Sequence, residues 1–184
     1  MDARGLTLIT EEYRNLNREL HDRNPEFGTS LPRFVKYIKA LVKPGDTVLN
    51  YGCGKCFLRC DNDVHVVNYD PAIEGFDAIP EPADIVVCTD VMEHIEPECL
   101  DDVLLHLKGL IKEYGFFSVA TVPSEKTLKD GRNAHLLQHD FVWWVNKFSQ
   151  YFVIRELHNS FNFFTMVVGH GPKPRIPSIP TRLT

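Results

Sequence analysis

Three short segments of this sequence have residues that could hold a ligand. Gly52-Cys53-Gly54 stand in "LNYGCGKC", Asp70 ends "VVNYD", and Asp90 follows "IVVCT". Glycines permit a tight turn with positive φ and let backbone N–H groups approach a ligand closely. An aspartate in the second segment could accept hydrogen bonds from the two hydroxyls of a ribose. Gly54 and Asp70 are sixteen residues apart, near the separation expected within one βαβ unit.

The glycine turn does not continue into the pattern of a dinucleotide site. A Gly-x-Gly alone is weak, because such glycines also occur in ordinary turns. A dinucleotide site needs a third glycine where the helix approaches the pyrophosphate, and Phe57 occupies that position. A nucleotide-dependent dehydrogenase is therefore disfavoured.

Cysteines around the same turn raise the alternative of a metal site. Cys53, Cys56 and Cys60 form Cys-x2-Cys-x3-Cys, with His65 as a distant fourth ligand. Cys53, however, is fixed inside the glycine turn, where its thiolate is badly placed to meet a partner three residues on. We therefore predict ordinary free thiols and no metal site.

The elements that must position these residues alternate between strand and helix. Short apolar segments predict parallel strands at 47–51, 64–70, 83–89 and 116–122. Helices are predicted within 9–42, from Pro97 to a C-cap at Gly115, and after Asp140. Two last strands, in "YFVIRELH" and "FNFFTMVVGH", predict an antiparallel hairpin. The expected fold class is α/β, a mostly parallel sheet whose ligands bind beyond the carboxyl ends of the strands.

Length and composition limit the possible partners. The 184 residues, of which 43% are hydrophobic, suffice for one domain with a core. We expect a cytoplasmic protein, because neither a signal peptide nor a membrane span is apparent. The net charge of −5 does not favour a nucleic-acid partner. Phe161, Phe163 and Phe164 in the last hairpin predict core and sheet edge, and any exposed remainder would suggest a homodimer surface.

Four longer segments resemble a known family. "VLNYGCGKC", "NYDPAI", "ADIVVCTDVMEHIEP" and "FFSVATVPSEKTLKDGRNAHLLQ" look like class I S-adenosylmethionine-dependent methyltransferases, especially small bacterial and phage members of unassigned substrate. The resemblance spans roughly residues 8–170. It implies a Rossmann-like domain over 1–170 with a helical cap at 8–42, followed by a Pro-rich tail at 171–184.

The resemblance also implies roles for individual residues. The turn Asn50, Tyr51, Gly52, Cys53 and Gly54 would pass the methionine part of S-adenosylmethionine. Asp70 would hold the ribose, and Pro71 beside it belongs to the same cofactor site. Thr89, Asp90 and Val91 would border the sulfonium, while Tyr13 and His21 of the N-terminal helix would close over the cofactor.

Candidate catalytic residues follow the third and fourth strands. His94 could be a general base, since histidine titrates near neutrality, or equally a packing or capping residue. Glu93 reads equally as a charge at a helix start or as a catalytic group. Arg132, Asn133 and His135 lie in the loop where acceptors approach in such folds, so we expect them to line the acceptor site. His94 and His135 are thus the predicted catalytic pair.

Two departures from the family pattern matter. The family usually has aspartate where this chain has Asn50, so the cofactor's amino group would lose a charged partner, at a cost of about 1–2 kcal/mol. Only thirteen residues separate Asp70 from Asp84, too few for a helix and another strand. The sheet should therefore have a shortened edge and leave the adenine more exposed.

The sequence predicts methyl transfer from S-adenosylmethionine to an unidentified acceptor by in-line displacement. The acceptor would be a small molecule or nucleotide-like compound. The alternative is a protein that binds the cofactor or its product without catalysis, as a scaffold or regulatory subunit, and Asn50 and the shortened sheet edge are the reasons to consider it.

Overall fold

The structure is a computed structural model that describes residues 5–24, 31–55, 58 and 63–170. Within them one six-stranded sheet has the order β2-β1-β3-β4-β6-β5. Its strands are β1 (Thr47–Tyr51), β2 (His65–Tyr69), β3 (Ala83–Thr89), β4 (Ile111–Ala120), β5 (Ile154–Asn159) and β6 (Phe163–Gly169). The first four pair in parallel, and β6 pairs antiparallel with both β4 and β5. The predicted mostly parallel α/β sheet with an antiparallel C-terminal hairpin is confirmed.

The shortened edge is confirmed as well. The edge strand β2 is followed by turns through residues 71–82, and none of these residues joins the sheet before β3 begins. A short, closely turned connection takes the place of a further helix and strand.

Four α-helices accompany the sheet in the described part of the chain. They are α1 (Glu11–Arg23), α2 (Val35–Lys39), α3 (Leu100–Leu110) and α4 (Phe141–Ser149). Thr10 caps α1 by accepting a hydrogen bond from the Tyr13 N–H, and Asp140 caps α4 by accepting one from the Trp143 N–H. The start of α4 agrees with the helix predicted after Asp140, and α1 starts within the predicted helical range 9–42. In both caps a side-chain oxygen satisfies an N–H that the first turn leaves without a partner.

The predicted end of the third helix at Gly115 is wrong. The helix α3 stops at Leu110, and β4 begins at once with Ile111. Gly115 instead lies within β4, paired with Val86 and Val168. A Cβ there would come within 2.7 Å of Ile111 and 2.8 Å of Phe117, so glycine serves close packing in the sheet rather than a helix end.

The inner parallel strands β1 and β3 are buried on both faces. Leu49 and Val86 pack with α3 and α4 on one side, while Val48 and Ile85 pack with α2 on the other. These alternating faces follow from the two-residue period of a strand, and they explain the nearly continuous apolar runs of β1 and β3.

Helix α1 lies across the carboxyl ends of the parallel strands. The Arg18 guanidinium contacts the Ala72 carbonyl after β2 at 3.4 Å, and the Lys55 ammonium after β1 donates to the His21 carbonyl. Tyr13 and Leu20 pack against Leu128 in the loop after β4. The helix thus covers the edge of the sheet where ligands are expected.

The three phenylalanines at the last hairpin differ in exposure. Phe164 is buried and Phe163 half-buried, whereas Phe161 is 88% exposed.

No helix among the described residues has the length and apolar character needed to cross a membrane. Cys56, Phe57, Cys60 and the tail 171–184 lie outside the described residues.

Candidate functional site

A cavity of about 390 Å³ opens at the carboxyl ends of the parallel strands, beneath α1. In addition to His21, thirteen residues that the sequence assigned to cofactor binding or catalysis line it: Tyr13, Asn50, Tyr51, Gly52, Cys53, Gly54, Asp70, Pro71, Thr89, Asp90, Val91, His94 and His135. Its volume is in the range of small-molecule sites. Residues from four strand ends and one helix therefore meet in a single pocket.

The turn after β1 is held in a conformation that requires glycine. Gly52 has φ +71°, and a Cβ on it would lie 2.4 Å from a methyl group of Val91. The N–H groups of Gly52 and Cys53 both donate to the Tyr69 carbonyl, at 2.8 and 3.0 Å. Since L side chains avoid positive φ, both the backbone and the close approach of Val91 exclude larger residues.

Asp70 ties this turn to the end of β2. One carboxylate oxygen accepts from the Gly54 N–H at 3.0 Å, and the other accepts from the Ala72 N–H at 2.9 Å. The residue is 9% exposed. Each carboxylate oxygen has two lone pairs, so this carboxylate can fix the backbone and still accept further hydrogen bonds inside the cavity.

Asn50 pairs with an asparagine on the neighbouring strand. Its side-chain amide donates to the Asn68 Oδ1 at 2.9 Å, and the two residues are opposite each other in the β1–β2 ladder. Asn50 is buried. The amide at this position is thus fixed by the sheet itself.

Asp90 adopts an unusual backbone conformation at the end of β3. With φ +53° it is the single non-glycine residue with positive φ in the described chain, a state that costs an L residue about 1–2 kcal/mol. Its N–H donates to the Ser118 carbonyl at 3.0 Å, and the Ser118 hydroxyl donates to its carboxylate at 2.7 Å. These bonds hold the carboxyl end of β3 against β4.

Glu93 is a fully buried carboxyl group beside the cavity. Its Oε1 accepts from the Ala120 N–H at 2.8 Å, whereas its Oε2 is buried with no hydrogen-bond partner among the described residues. Burial, reinforced by the Asp90 carboxylate, raises the pKa of Glu93 well above its usual range. Burial therefore favours the neutral form of this carboxyl group when only protein surrounds it.

His94 and His135 lie together on the same side of the cavity. Their ring centroids are 4.8 Å apart in an edge-to-face arrangement. The Nδ1 of His94 is 2.7 Å from the Ala134 carbonyl, and that of His135 is 2.6 Å from the Val122 carbonyl. A carbonyl accepts only from a protonated nitrogen, so each neutral ring has Nε2 as its unprotonated atom. Burial, aided by the neighbouring His135 ring, lowers the pKa of His94 to about 3.

Helix α1 contributes polar side chains to the cavity that it covers. Tyr13, Asn17 and His21 of α1 line the cavity. Burial raises the pKa of Tyr13, and the Glu96 carboxylate acts in the same direction. Burial lowers the pKa of His21. At neutral pH helix α1 therefore presents an uncharged phenol, an amide and an imidazole to the cavity.

Glu96 connects the start of helix α1 to the segment that follows β3. Its carboxylate accepts from the Thr10 N–H at 2.9 Å and from the Thr10 hydroxyl at 2.5 Å. Thr10 is also the N-cap of α1. One buried carboxylate therefore anchors the start of the covering helix to the segment that carries His94.

The loop after β4 contributes fewer residues to the cavity than the sequence predicted. Arg132 and Asn133 do not line the cavity. Arg132 is exposed and forms an ion pair with Asp130 at 2.6 Å. The Asn133 side chain accepts from the Ser124 and His135 N–H groups. The Arg132 side chain faces solvent, and the Asn133 side chain stabilises the loop around His135.

Comparison with known proteins points to one fold. No protein-family model matches the chain, and no curated protein matches its sequence. Among solved structures, 1,6-didemethyltoxoflavin-N1-methyltransferase from Burkholderia thailandensis superposes over 92% of each chain, with TM-score 0.60 and 15% identity. Magnesium protoporphyrin IX methyltransferase from Synechocystis PCC 6803 covers 91% of this chain and 90% of its own, with TM-score 0.56 and 15% identity. The N-methyltransferase NodS from Bradyrhizobium japonicum covers 87% and 98%, with TM-score 0.54 and 11% identity.

The chain has the fold of S-adenosylmethionine-dependent methyltransferases. Several residues that line the cavity of this methyltransferase fold were not predicted from the sequence. Asn17, Glu96, Lys126 and Asn162 all line it, and Glu93 was read no more strongly as a catalytic group than as a helix-start charge. A signal for Glu93 existed in "DVMEHIEP": a short helical turn follows a buried strand, so the side chain three residues after Asp90 returns towards the sheet.

Three cysteines lie in the described part of the chain. Cys53, Cys88 and Cys99 are buried thiols outside any disulfide. Burial raises the pKa of Cys88 well above its usual range, so this thiol stays protonated and unreactive. Cys53 shapes the methyltransferase turn through its backbone rather than through its sulfur.

Proposed function

We propose that this protein transfers a methyl group from S-adenosylmethionine to a small-molecule acceptor. The observation that carries the proposal is the convergence of the thirteen predicted residues on one cavity at the strand ends of a methyltransferase fold. All three neighbours named above were crystallised with S-adenosylhomocysteine, the product that methyl transfer leaves.

The polar groups of the cavity fit this cofactor. Asp70 retains acceptor capacity beside the glycine turn, as two ribose hydroxyls require. The Oδ1 of Asn17 is buried without a hydrogen-bond partner among the described residues, so it suits a donor on a ligand. Residues Asn50, Tyr51 and Gly52 would lie along the methionine part, with Tyr13 and His21 closing over it.

When bound, the cofactor supplies an electrophilic methyl group on a positively charged sulfur. The chain's task is then to hold the acceptor atom in line with the C–S bond and to exclude water. Thr89, Asp90 and Val91 would border the reacting centre. We assign His94 and His135 to the acceptor side, where each ring is oriented by the backbone carbonyl that binds its Nδ1.

A small acceptor is favoured over a polymer. The lining is shared by apolar and polar groups inside a pocket of about 390 Å³, and the net charge of −5 gives no broad attraction for nucleic acid. The Burkholderia neighbour is crystallised with 1,6-didemethyltoxoflavin bound. A homodimer also stays a prediction, supported by the exposed side chain of Phe161.

Titration calorimetry with S-adenosylmethionine and S-adenosylhomocysteine tests the proposal. We expect both to bind with Kd below about 1 mM, which corresponds to about 4 kcal/mol of binding free energy. If neither binds, the proposal fails. Detection of S-adenosylhomocysteine formed from S-adenosylmethionine in the presence of pooled small-molecule acceptors would then separate an enzyme from a non-catalytic binding protein, which would bind both compounds and form no product.

A further inference from the structure

Three side chains at the acceptor side of the cavity place ligand atoms close together. One carboxylate oxygen of Glu93 and one ring nitrogen each of His94 and His135 all lie within 4.8 Å of one another. An ion equidistant from three atoms 4.8 Å apart would be about 2.8 Å (4.8/√3) from each. Closing to the 2.0–2.2 Å typical of metal–ligand bonds requires each side chain to move by less than about 1 Å.

The two imidazoles already make the kind of hydrogen bond that supports a metal-ligating histidine. In metal sites a ligating histidine donates its other ring N–H to a carboxylate or a backbone carbonyl, which fixes the tautomer. His94 and His135 do this through Nδ1, to the Ala134 and Val122 carbonyls. Two neighbouring histidines on separate segments thus share the same tautomer and the same kind of support.

Glu93 is the observation that points to a ligand. Its Oε2 is buried without a partner, and no Lys or Arg of the described residues forms an ion pair with it. A buried polar atom of this kind requires an explanation, and a bound cation would provide one, because carboxylate oxygens are common metal ligands.

We propose that Glu93, His94 and His135 bind a divalent first-row transition-metal ion, and that this ion contacts a hydroxyl group of the acceptor. The metal site stands on its own geometry, whereas the role of the ion in catalysis rests on the proposed methyl transfer. The inference differs from the sequence prediction of no metal site, which considered the cysteines alone.

The ligand set indicates the kind of ion. Two imidazoles and one carboxylate suit Mn²⁺, Fe²⁺, Co²⁺ or Zn²⁺ better than Ca²⁺ or Mg²⁺, which prefer oxygen ligands. Three protein ligands also leave coordination positions open. Such open positions, in a cavity that Asp90 and Val91 also line, are suited to an acceptor oxygen.

The ion would favour transfer to oxygen. A divalent cation beside a hydroxyl lowers the pKa of that hydroxyl, so the proton passes to solvent near neutral pH. The oxygen lone pair then forms the new bond to the methyl carbon. The C–S bond breaks with its electron pair remaining on sulfur, and one proton is released for each methyl group transferred. The acceptor class is therefore an alcohol or a phenol.

Metal binding is tested on the full-length protein after treatment with a chelator. Mn²⁺ is added and free Mn²⁺ is followed by electron paramagnetic resonance, with Zn²⁺ and Co²⁺ titrations by calorimetry in parallel. We expect at least one ion to bind at one per chain with Kd below about 100 μM. Glu93→Gln keeps the size and an acceptor for the Ala120 N–H, and we expect it to weaken binding at least 100-fold. Glu98→Gln, an exposed neighbour, should bind the ion as the wild type does.

A second variant protects the test against misfolding. His135→Asn keeps a donor near the position of Nδ1 and removes Nε2, so it should fold and should also lose at least 10-fold in affinity. If no ion binds, or if both variants retain wild-type affinity, the inference is overturned.

Binding of S-adenosylhomocysteine to the same samples separates the two proposals. Cofactor binding without metal binding would overturn the metal site and leave methyl transfer standing. Metal binding without cofactor binding would support the site and overturn the proposed methyl transfer.

Discussion

The carboxylate of Asp70 accepts a hydrogen bond from the backbone N–H of Gly54 at 3.0 Å, and so joins the turn after β1 to the end of β2. Its other oxygen accepts from the Ala72 N–H at 2.9 Å. One side chain therefore fixes the two backbone segments that border the expected ribose. Because charge-assisted hydrogen bonds of this kind are stronger than neutral ones, Asp70 stabilises the shape of the cavity, and under the proposed function it would also bind the ribose.

Replacement of Asp70 by asparagine should damage cofactor binding. In Asp70→Asn the side-chain NH₂ replaces one acceptor and faces a backbone N–H, so one buried donor loses its partner. We expect the Kd for S-adenosylhomocysteine, measured by calorimetry, to rise by about 10- to 100-fold, which corresponds to about 1.4–2.7 kcal/mol. Asp77→Asn, at an exposed position in the same connection, should bind normally. An Asp70→Asn protein with unchanged Kd would remove Asp70 from the cofactor site.

Replacement of Asn50 by aspartate should strengthen cofactor binding. The amide of Asn50 now donates to Asn68 at 2.9 Å, and in the variant the Asn68 amide can turn over and donate to the new carboxylate. If the position faces the cofactor's amino group, a charged acceptor strengthens the binding free energy by about 1–2 kcal/mol. The affinity for S-adenosylmethionine should then rise by about 5- to 30-fold. Asn50→Ala, which lacks any acceptor, should bind less tightly than the wild type. Equal affinities for Asn50→Asp and the wild type would show that this side chain does not contact the amino group.

Replacement of Glu96 by glutamine should loosen the covering helix. The Glu96 carboxylate receives both the N–H and the hydroxyl of Thr10, whereas glutamine has one acceptor oxygen. We expect hydrogen–deuterium exchange within α1 to be about 10-fold faster, as for the loss of about 1.4 kcal/mol of local stability. Exchange in the core strand β3 should be unchanged. Glu98→Gln, two residues on and exposed, is the matched control, and equal rates in both variants would contradict the anchoring role.

The sequence predicted the fold well where local signals agree. Strand-like runs before Gly52, Asp70 and Asp90 placed three ligand-binding turns at one edge of a sheet, and Asp140 marked the start of a helix through its capping chemistry. These inferences needed only the rule that parallel strands present their carboxyl ends together. The structure brings the corresponding side chains into one cavity.

Features that depend on long-range pairing could not be predicted in this way. The Asn50–Asn68 hydrogen bond follows from the register of β1 and β2, which no local pattern fixes. The end of α3 was misplaced because Leu107, Leu110, Ile111 and Tyr114 continue a helical spacing, although pairing with β3 draws Ile111 into the sheet. The burial of Glu93 likewise depends on packing against β4, through the Ala120 N–H.

Substitution of Gly115 tests whether this residue lies within β4 rather than at a helix end. A helix C-cap requires positive φ, where alanine is unfavourable by about 1 kcal/mol. In the strand, Gly115→Ala would instead place a methyl group 2.7 Å from Ile111 and 3.0 Å from Val168, and overpacking of this kind costs about 1–3 kcal/mol. The double variant Gly115→Ala/Ile111→Val, which shortens the nearest side chain, should recover part of the loss in urea unfolding. Strict additivity of the two single changes would contradict the close packing.

Gly52 combines strained backbone with close packing, and the two contributions can be separated. Gly52→Ala must adopt φ +71° and would place its Cβ 2.4 Å from Val91 Cγ2, so we expect a loss of more than about 2 kcal/mol in the free energy of unfolding. Gly131→Ala has similar backbone strain, with φ +92°, but no atom within 4 Å, and should lose only about 1–2 kcal/mol. Adding Val91→Ala removes both contacting methyl groups, although Val91 Cβ remains 3.2 Å from the new Cβ. The pair Gly52→Ala/Val91→Ala should therefore be less destabilised than the sum of its single variants by at least about 1 kcal/mol, a coupling of the size seen for residues in contact. A coupling of zero would mean that Val91 moves away without cost, and that backbone conformation alone selects glycine at this turn.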